Sequence, residues 1–559
     1  MEQMRLLLAI VLSFLVFVVW QWLVVEPEMA RQVQEPTTLA ESASQPEDAS
    51  DQAKALTETP SATPEDNMPA GIPVPTSEGR EARTIQVKTP LYTVTLSEKG
   101  AVLNDFILNH YRETVGEDGK LKKMIQDRAR QFNLQTGFAA NSVAGMQDAV
   151  FELSTQEEMV VVDGQKQVID FQWVNKEGVR VQKQFVFLPD SYLIELNVTI
   201  SNHSPVAIAD NPFVKIAHVV DDPESRLTFE GPMGLVNDKL EEIKVDDIED
   251  KPEIEGMFRW IGITDRYFMT VLIPEDSISG TMKMEKVGED MIISQLILPK
   301  TEIAPGETQV FPFKAFVGPK DTETLAKANY ELGKAVNFGM FDILAKPFLW
   351  IMNQIYKVIP NYGIAIIILT LITKIILFPL GNKSYKSMND MKRMQPLITE
   401  LREKYKDDKK KLNEETMALY RTYKINPMGG CLPMVVQLPV FFALYRMLYQ
   451  AIELRHAPFF GWINDLSAPD RLFEFGFSVP FMEPPYGIPV LTIVMGATMF
   501  LQQKMSPPPG DPTQAKLMMF MPLIFTVIFI NFSAGLVLYW LINNVFSIAQ
   551  QYYIQKKYA

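Results

Sequence analysis

Residues 362–380 read YGIAIIILTLITKIILFPL, a run long enough to cross the ~30 Å hydrocarbon core of a bilayer as a helix. Lys374 sits near its middle with apolar residues on both sides. A charge at that depth costs at least ~2.5 kcal/mol on insertion scales, so a cation kept there marks a candidate functional site. Thr370 lies one helical turn earlier on the same face, so hydroxyl and ammonium are expected to share one polar notch. The plainer alternative is that the stem of Lys374 carries its charge to the cytoplasmic headgroups, ~9 Å further along.

Around this span the chain alternates between membrane and water. Its 559 residues are 47% apolar and include 29 Met, too many for one core, and the apolar runs gather at the two ends. The net charge of −14 is carried mostly by the part before residue 330, which argues against nucleic-acid binding there. Cys431 is the only cysteine, and His110, His203, His218 and His456 are scattered without ligand spacing. Neither a disulfide nor a metal site is therefore expected.

Residues 1–25 contain an apolar run, 6–25, after Arg5, with no small-residue cleavage pattern following. They are expected to be an uncleaved anchor with a cytoplasmic N-terminus. The acidic, Pro/Ser/Thr-rich stretch 26–80 cannot bury enough surface to fold and is expected to be a flexible tether. In 81–335 the period changes to two: in YLIELNVTI, Tyr192, Ile194, Leu196, Val198 and Ile200 alternate with mostly polar neighbours. That pattern predicts a large antiparallel β-sandwich outside the cytoplasm, with its acidic residues as solvated surface. Turn signals at Glu98-Lys99-Gly100, Pro189-Asp190 and Ala304-Pro305-Gly306 divide the strands. Phe338, Phe341, Leu344, Phe348, Ile351, Ile355 and Val358 then recur at helical spacing within 336–360, suiting an amphipathic helix on the outer membrane surface or, alternatively, one packed against the sandwich.

The span 361–380 leads into 381–426, which carries twelve cations against seven carboxylates. This excess places the segment in the cytoplasm. Two helical stripes, Met388 to Tyr405 and Leu412 to Tyr423, predict an antiparallel basic hairpin that either meets anionic lipid or ribosomal RNA or is simply a solvated face satisfying the positive-inside bias. Further spans are expected at 427–452, 489–501, 515–532 and 534–551, the last two divided at Asn531, Ser533 and Gly535. An acidic outer connection, 453–488, a Pro-rich cytoplasmic loop, 502–514, and a short cytoplasmic tail, 552–559, complete a chain of six spans.

Several long motifs carry a resemblance: KINPMGGCLPMVVQLPVFFALYRML, FFGWINDLSAPD, MGATMFLQQKMSP, FMPLIFTVIF and GLVLYW. They occur in the order found in the bacterial membrane protein insertases of the YidC family, which has mitochondrial and chloroplast members. The resemblance covers the whole chain, including the anchor and large periplasmic domain of Gram-negative members. It implies a polytopic α-helical protein of the cell inner membrane, not an enzyme, with both termini cytoplasmic. Five core helices would surround a hydrophilic groove open to the cytoplasm and lipid, and the periplasmic domain would be an antiparallel β-supersandwich. Lys374, Thr370, Gln437 and Trp540 would line the groove, and Met434, Phe525 and Phe529 a hydrophobic slide. Phe378, Tyr385 and Asp511 would lie in ribosome-facing loops. Implied partners are nascent membrane proteins, the ribosome, membrane lipid and the Sec translocon (SecYEG and SecDF), with no cofactor and no nucleotide.

This chain departs from the family at four places. Members usually carry Arg where Lys374 stands, so the charge is kept but the planar five-donor fork is lost. Trp540 occupies a place where close relatives have Tyr. The connection around Arg471 to Pro485 is longer than in the best-known members, and the basic C-terminal tail is nearly absent. The implied function is insertion, folding and assembly of membrane proteins, alone or with the Sec channel. A small-solute transporter with a sugar-binding domain would need inverted repeats and charges in both halves. A scaffold for a secretion channel would tolerate any packing residue at Lys374.

Overall fold

The computed structural model describes residues 80–116, 118–220, 229–406, 408–423, 432–505 and 512–558. The expected anchor, almost all of the tether, Asp511 and the side chain of Met434 lie outside what is described.

The alternating stretch forms the strand Leu193–Asn202, hydrogen-bonded antiparallel to Val179–Phe187 on one side and Thr308–Pro319 on the other. Ile194, Leu196, Val198 and Ile200 are 0, 0, 3 and 1% exposed, because side chains two apart in a strand share a face. The strand belongs to a sheet of thirteen that runs from Gln135–Phe138 at one edge to Glu152–Leu153 at the other. A second sheet of five contributes to the same apolar core, in the order Leu121–Lys123, Val102–Arg112, Tyr92–Ser97, Thr84–Lys88, Met159–Val161. The domain is the expected β-sandwich, with one difference: Met159–Val161 pairs with Thr84–Lys88 in parallel.

Not all of its charges are surface. Glu98, at a turn signal, has a fully buried carboxylate that accepts from the guanidinium groups of Arg80 and Arg83. Lys183 is also buried and donates to the carbonyl of Gly100 at 2.6 Å, with its amine 5.2 Å from the centre of the Phe151 ring. Gly100 reaches φ +72°, a conformation open to glycine, and so presents its carbonyl inward. Burial pushes the Lys183 amine down to about 7, whereas the unfolded chain holds its proton to ~10.4. Between those values the unfolded state binds more protons, so stability rises with pH. Full-length protein in detergent is expected to gain about 2 kcal/mol of urea stability between pH 7 and 9. Lys183→Met should remove that contribution, which denaturation of variant and wild type at the two pH values will read.

Helix α1 (Thr322–Ala328), capped by the Asp321 carboxylate, leaves the sandwich. It is followed by α2 (Asp342–Val358), α3 (Tyr362–Lys404), α4 (Lys409–Thr422), α5 (Leu432–Gln450), α6 (Val490–Met505), α7 (Pro512–Ile528) and α8 (Ala534–Tyr558). In α2, Ala345, Leu349 and Met352 are buried in a cluster shared with α3, α5 and α8, while Ile343, Trp350 and Val358 face outward. The helix therefore has two apolar faces instead of the single expected stripe.

α3 differs more from expectation. Its 43 residues run unbroken past Leu380, ~65 Å in all, so the first arm of the basic hairpin is the continuation of the span. Pro379 removes one N–H without ending the helix, as apolar helices packed on neighbours allow. Gly381 stays helical beneath α8: a Cβ there would come within 2.9 Å of the Gln550 amide nitrogen. Among the described residues, α3 alone is both long and apolar enough to cross a membrane, and Met518–Asn531 is a shorter apolar stretch. Six spans therefore do not follow from helix length.

Sandwich and helices meet at a polar seam. The Arg266 guanidinium lies 3.7 Å over the Tyr449 ring of α5 and donates to the Tyr449 carbonyl at 2.8 Å. Just past α5, Glu453 accepts from Asn353 of α2 at 3.0 Å, and Thr322 of α1 stands 3.5 Å away. Burial, with the Asp321 charge adding to it, pushes the Glu453 carboxyl up to about 7.

Candidate functional site: a polar face on α8

The helices around Lys374 hold almost no countercharge. No Asp or Glu occurs in α5, α6, α7 or α8, nor in α3 before Asp390. The Lys374 ammonium instead donates to the Ser547 hydroxyl of α8 at 2.8 Å. From Tyr362 to Lys374, and from Ala534 to Ser547, the rise is ~18–20 Å, so cation and hydroxyl meet at one depth. The lysine reaches sideways to another helix rather than along its own toward the headgroups.

Ser547 is one step in a ladder. Asn543, Ser547 and Gln550 stand at i, i+4 and i+7 on α8 and so share a face. The Asn543 side-chain oxygen accepts from Gln437 of α5 at 2.6 Å, and the Ser547 hydroxyl donates to the Asn543 carbonyl at 2.8 Å. Gln550 donates to Asn382 of α3 at 3.0 Å and to the Phe378 carbonyl at 3.2 Å. On the neighbouring face, Asn544 donates to Thr498 of α6 at 3.2 Å. The sequence reading missed these α8 residues because they are uncharged and short polar steps, Asn543-Asn544, Ser547 and Gln550-Gln551, in a mostly apolar run. Their helical spacing is the signal that would have found them.

Of the residues expected in the groove, Lys374 and Gln437 meet at this ladder. Thr370 does not: it is 1% exposed and its hydroxyl donates back to the Ile366 carbonyl at 2.7 Å, a bond that buried threonines in helices commonly make. The shared notch of Thr370 and Lys374 is thus replaced by a contact between helices. Trp540 falls among aromatics instead, with ring centroids 4.7 Å from Phe441 and 5.0 Å from Phe529. Phe529 is 3% exposed, so two of the slide residues, Phe525 and Phe529, belong to the packing around Trp540. Phe378 and Tyr385 lie within α3, not in loops. The Tyr385 hydroxyl lies near that of Ser547, beside the ladder.

Comparison with known proteins agrees over both halves of the chain. Residues 84–351 match the YidC periplasmic domain and residues 354–559 the 60Kd inner membrane protein family. The membrane protein insertase YidC of Syntrophus aciditrophicus is 41% identical over 492 residues, 87% of this chain and 87% of that protein. That of Pelobacter propionicus is 36% identical over 567 residues, 99% of each. A crystal structure of an active YidC insertase with its first transmembrane domain superposes with a TM-score of 0.38 at 19% identity, covering 85% of this chain and 93% of that one. Neither the transporter nor the scaffold reading fits relatives of this kind. The chain belongs to the YidC family of membrane protein insertases, inner-membrane proteins with a periplasmic β-sandwich domain.

Proposed function

We propose that the α8 ladder and Lys374 form one wall of a hydrophilic groove that receives the polar end of an incoming membrane protein. The observation that carries this reading is the solitary cation: Lys374 has a hydroxyl for a partner, and α5 to α8 contain no carboxylate. The missing countercharge is supplied by the client. Insertion then needs no covalent step. A polar site partway through the bilayer shortens the hydrocarbon path for a hydrophilic segment, where every unsatisfied backbone group costs several kcal/mol. The client's apolar segment leaves sideways, driven by its own burial in lipid.

The same reading assigns six spans with both termini in the cytoplasm. It is supported by large apolar side chains left outward on the helices: Ile375 and Ile376 on α3, Ile493 on α6, Leu523 and Ile524 on α7, Val545 on α8. Such a surface suits lipid. The aromatic packing around Trp540, with Phe525 and Phe529, forms the apolar side of the path, opening as a client passes. The basic hairpin of α3 and α4 faces the ribosome or anionic headgroups, and cooperation with the Sec translocon extends the range of clients.

Site-specific photo-crosslinking tests the groove. Probes at Gln437 and Asn543 are expected to capture a ribosome-bound nascent chain exposing one transmembrane segment, and a probe at lipid-facing Val545 to capture it several-fold less. Equal yields at all three positions would sink the reading.

A further inference from the structure

The connection between α5 and α6 carries a feature that the insertion path does not use. Strands Leu472–Phe475 and Tyr486–Ile488 pair as a short antiparallel hairpin. Three of its phenylalanines point outward, Phe473 at 71%, Phe477 at 66% and Phe481 at 82% exposure. Phe475 stacks on Phe477 with ring centroids 5.2 Å apart. Phe473 and Phe481 have φ of +56° and +64°, where bulky residues sit only under constraint.

The constraint is visible. Arg471 donates to the carbonyls of Pro485 at 2.8 Å and Ile530 at 2.9 Å. The Asn531 side chain accepts from the Glu483 amide at 2.9 Å and donates to the Phe481 carbonyl at 3.1 Å. Asp470 accepts from the Leu491 amide at 2.8 Å, closing the first turn of α6. The hairpin is thus stapled to the start of α6 and to the turn between α7 and α8, and it holds its rings outward.

We propose that this hairpin is a monotopic anchor that inserts Phe473, Phe477 and Phe481 into the acyl region of the periplasmic leaflet. The inference rests on the reading of α6 and α7 as membrane spans. Its occupant is lipid for two reasons. Outward apolar side chains recur on the elements it is stapled to, from Ile488 at the hairpin's end to Ile493 and Val494 on α6 and to Ile524, Val527 and Ile528 on α7. In addition, α6 has 16 residues, ~24 Å of helix against ~30 Å of hydrocarbon. Rings set just before its first turn supply the missing apolar band on the periplasmic side. The exposed carboxylates of Glu474 and Glu483 stay at headgroup level and limit the depth.

The test uses the full chain with Cys431→Ser, carrying Phe477→Cys or Phe481→Cys, spin-labelled and reconstituted into vesicles of phosphatidylethanolamine and phosphatidylglycerol. Collision rates with oxygen, which concentrates in lipid, are compared with those for a water-soluble nickel chelate. Ile524→Cys serves as the lipid reference and Val206→Cys, 68% exposed on the sandwich, as the aqueous one. Labels at 477 and 481 should match position 524, with an oxygen-to-nickel ratio several-fold above position 206. A ratio matching position 206, or shielding from both reagents as in a protein contact, overturns the anchor while position 524 still reports lipid. A water-like ratio at position 524 itself would instead overturn the spans, and the anchor with them.

Discussion

Lys374→Glu is expected to reduce insertion of a client with an acidic leading segment about tenfold or more, while a client with a neutral segment changes by less than about twofold. Two unit charges ~4 Å apart interact by about 4 kcal/mol at an effective dielectric near 20, and the substitution turns that attraction into repulsion. Water at the site weakens this swing of about 8 kcal/mol, and a third of it still exceeds the ~1.4 kcal/mol that a tenfold change in rate requires. Lys374→Arg should keep most activity, because the charge and a donor to Ser547 both survive. Protease protection of in vitro translated clients in proteoliposomes reads all three cases. Equal insertion of both clients by Lys374→Glu would remove the electrostatic role and leave Lys374 as a packing residue.

Glu98→Ala is expected to cost the periplasmic domain about 2–4 kcal/mol, seen as a lower urea midpoint with an unchanged slope. The carboxylate accepts from the Arg83 guanidinium at 2.9 Å, the Arg80 guanidinium at 2.8 Å and the Arg83 amide at 2.8 Å. Its removal orphans that amide, and the two half-exposed arginines turn to water, which keeps the cost below that of a fully buried pair. Burial alone would raise the Glu98 carboxyl, but the Arg83 amide and the two guanidinium groups more than offset it and hold it below the usual range. Its contribution is therefore present above the unfolded value near 4.3 and is lost as pH falls through the lower folded value. Wild-type stability should fall across that acidic window more steeply than that of Glu98→Gln.

The strand around Ile194 was legible because one physical rule, period two with a buried face, decides it. Glu98 was not, because a carboxylate beside a turn glycine looks the same in sequence whether it faces water or two arginines 15 and 18 residues earlier. Lys374 was legible because any charge inside an apolar run stands out. Its partner Ser547 was hidden, since a single hydroxyl in an apolar helix barely alters the average. Thr370 shows the limit of helical spacing: it gives the face of a residue but not whether the hydroxyl bonds outward or to its own backbone. The continuation of the helix past Leu380 was hidden for a related reason. Pro379 and Gly381 are breakers in water, and here α8 packs over them and the helix continues.

Arg266 ties the Tyr449 end of α5 to a sandwich with a closely packed core, and Glu453, just past that end, ties it to the Asn353 end of α2. Those ends form a fulcrum, and the 19 residues of α5 are a lever arm of ~28 Å. A tilt of ~5° about that point leaves the Tyr449 end almost still and swings the Leu432 end by ~2.5 Å. On the topology proposed above, admission of a client is therefore graded with depth, widest at the cytoplasmic mouth and vanishing at the outer surface, so that the chain can yield to a passenger without becoming a leak.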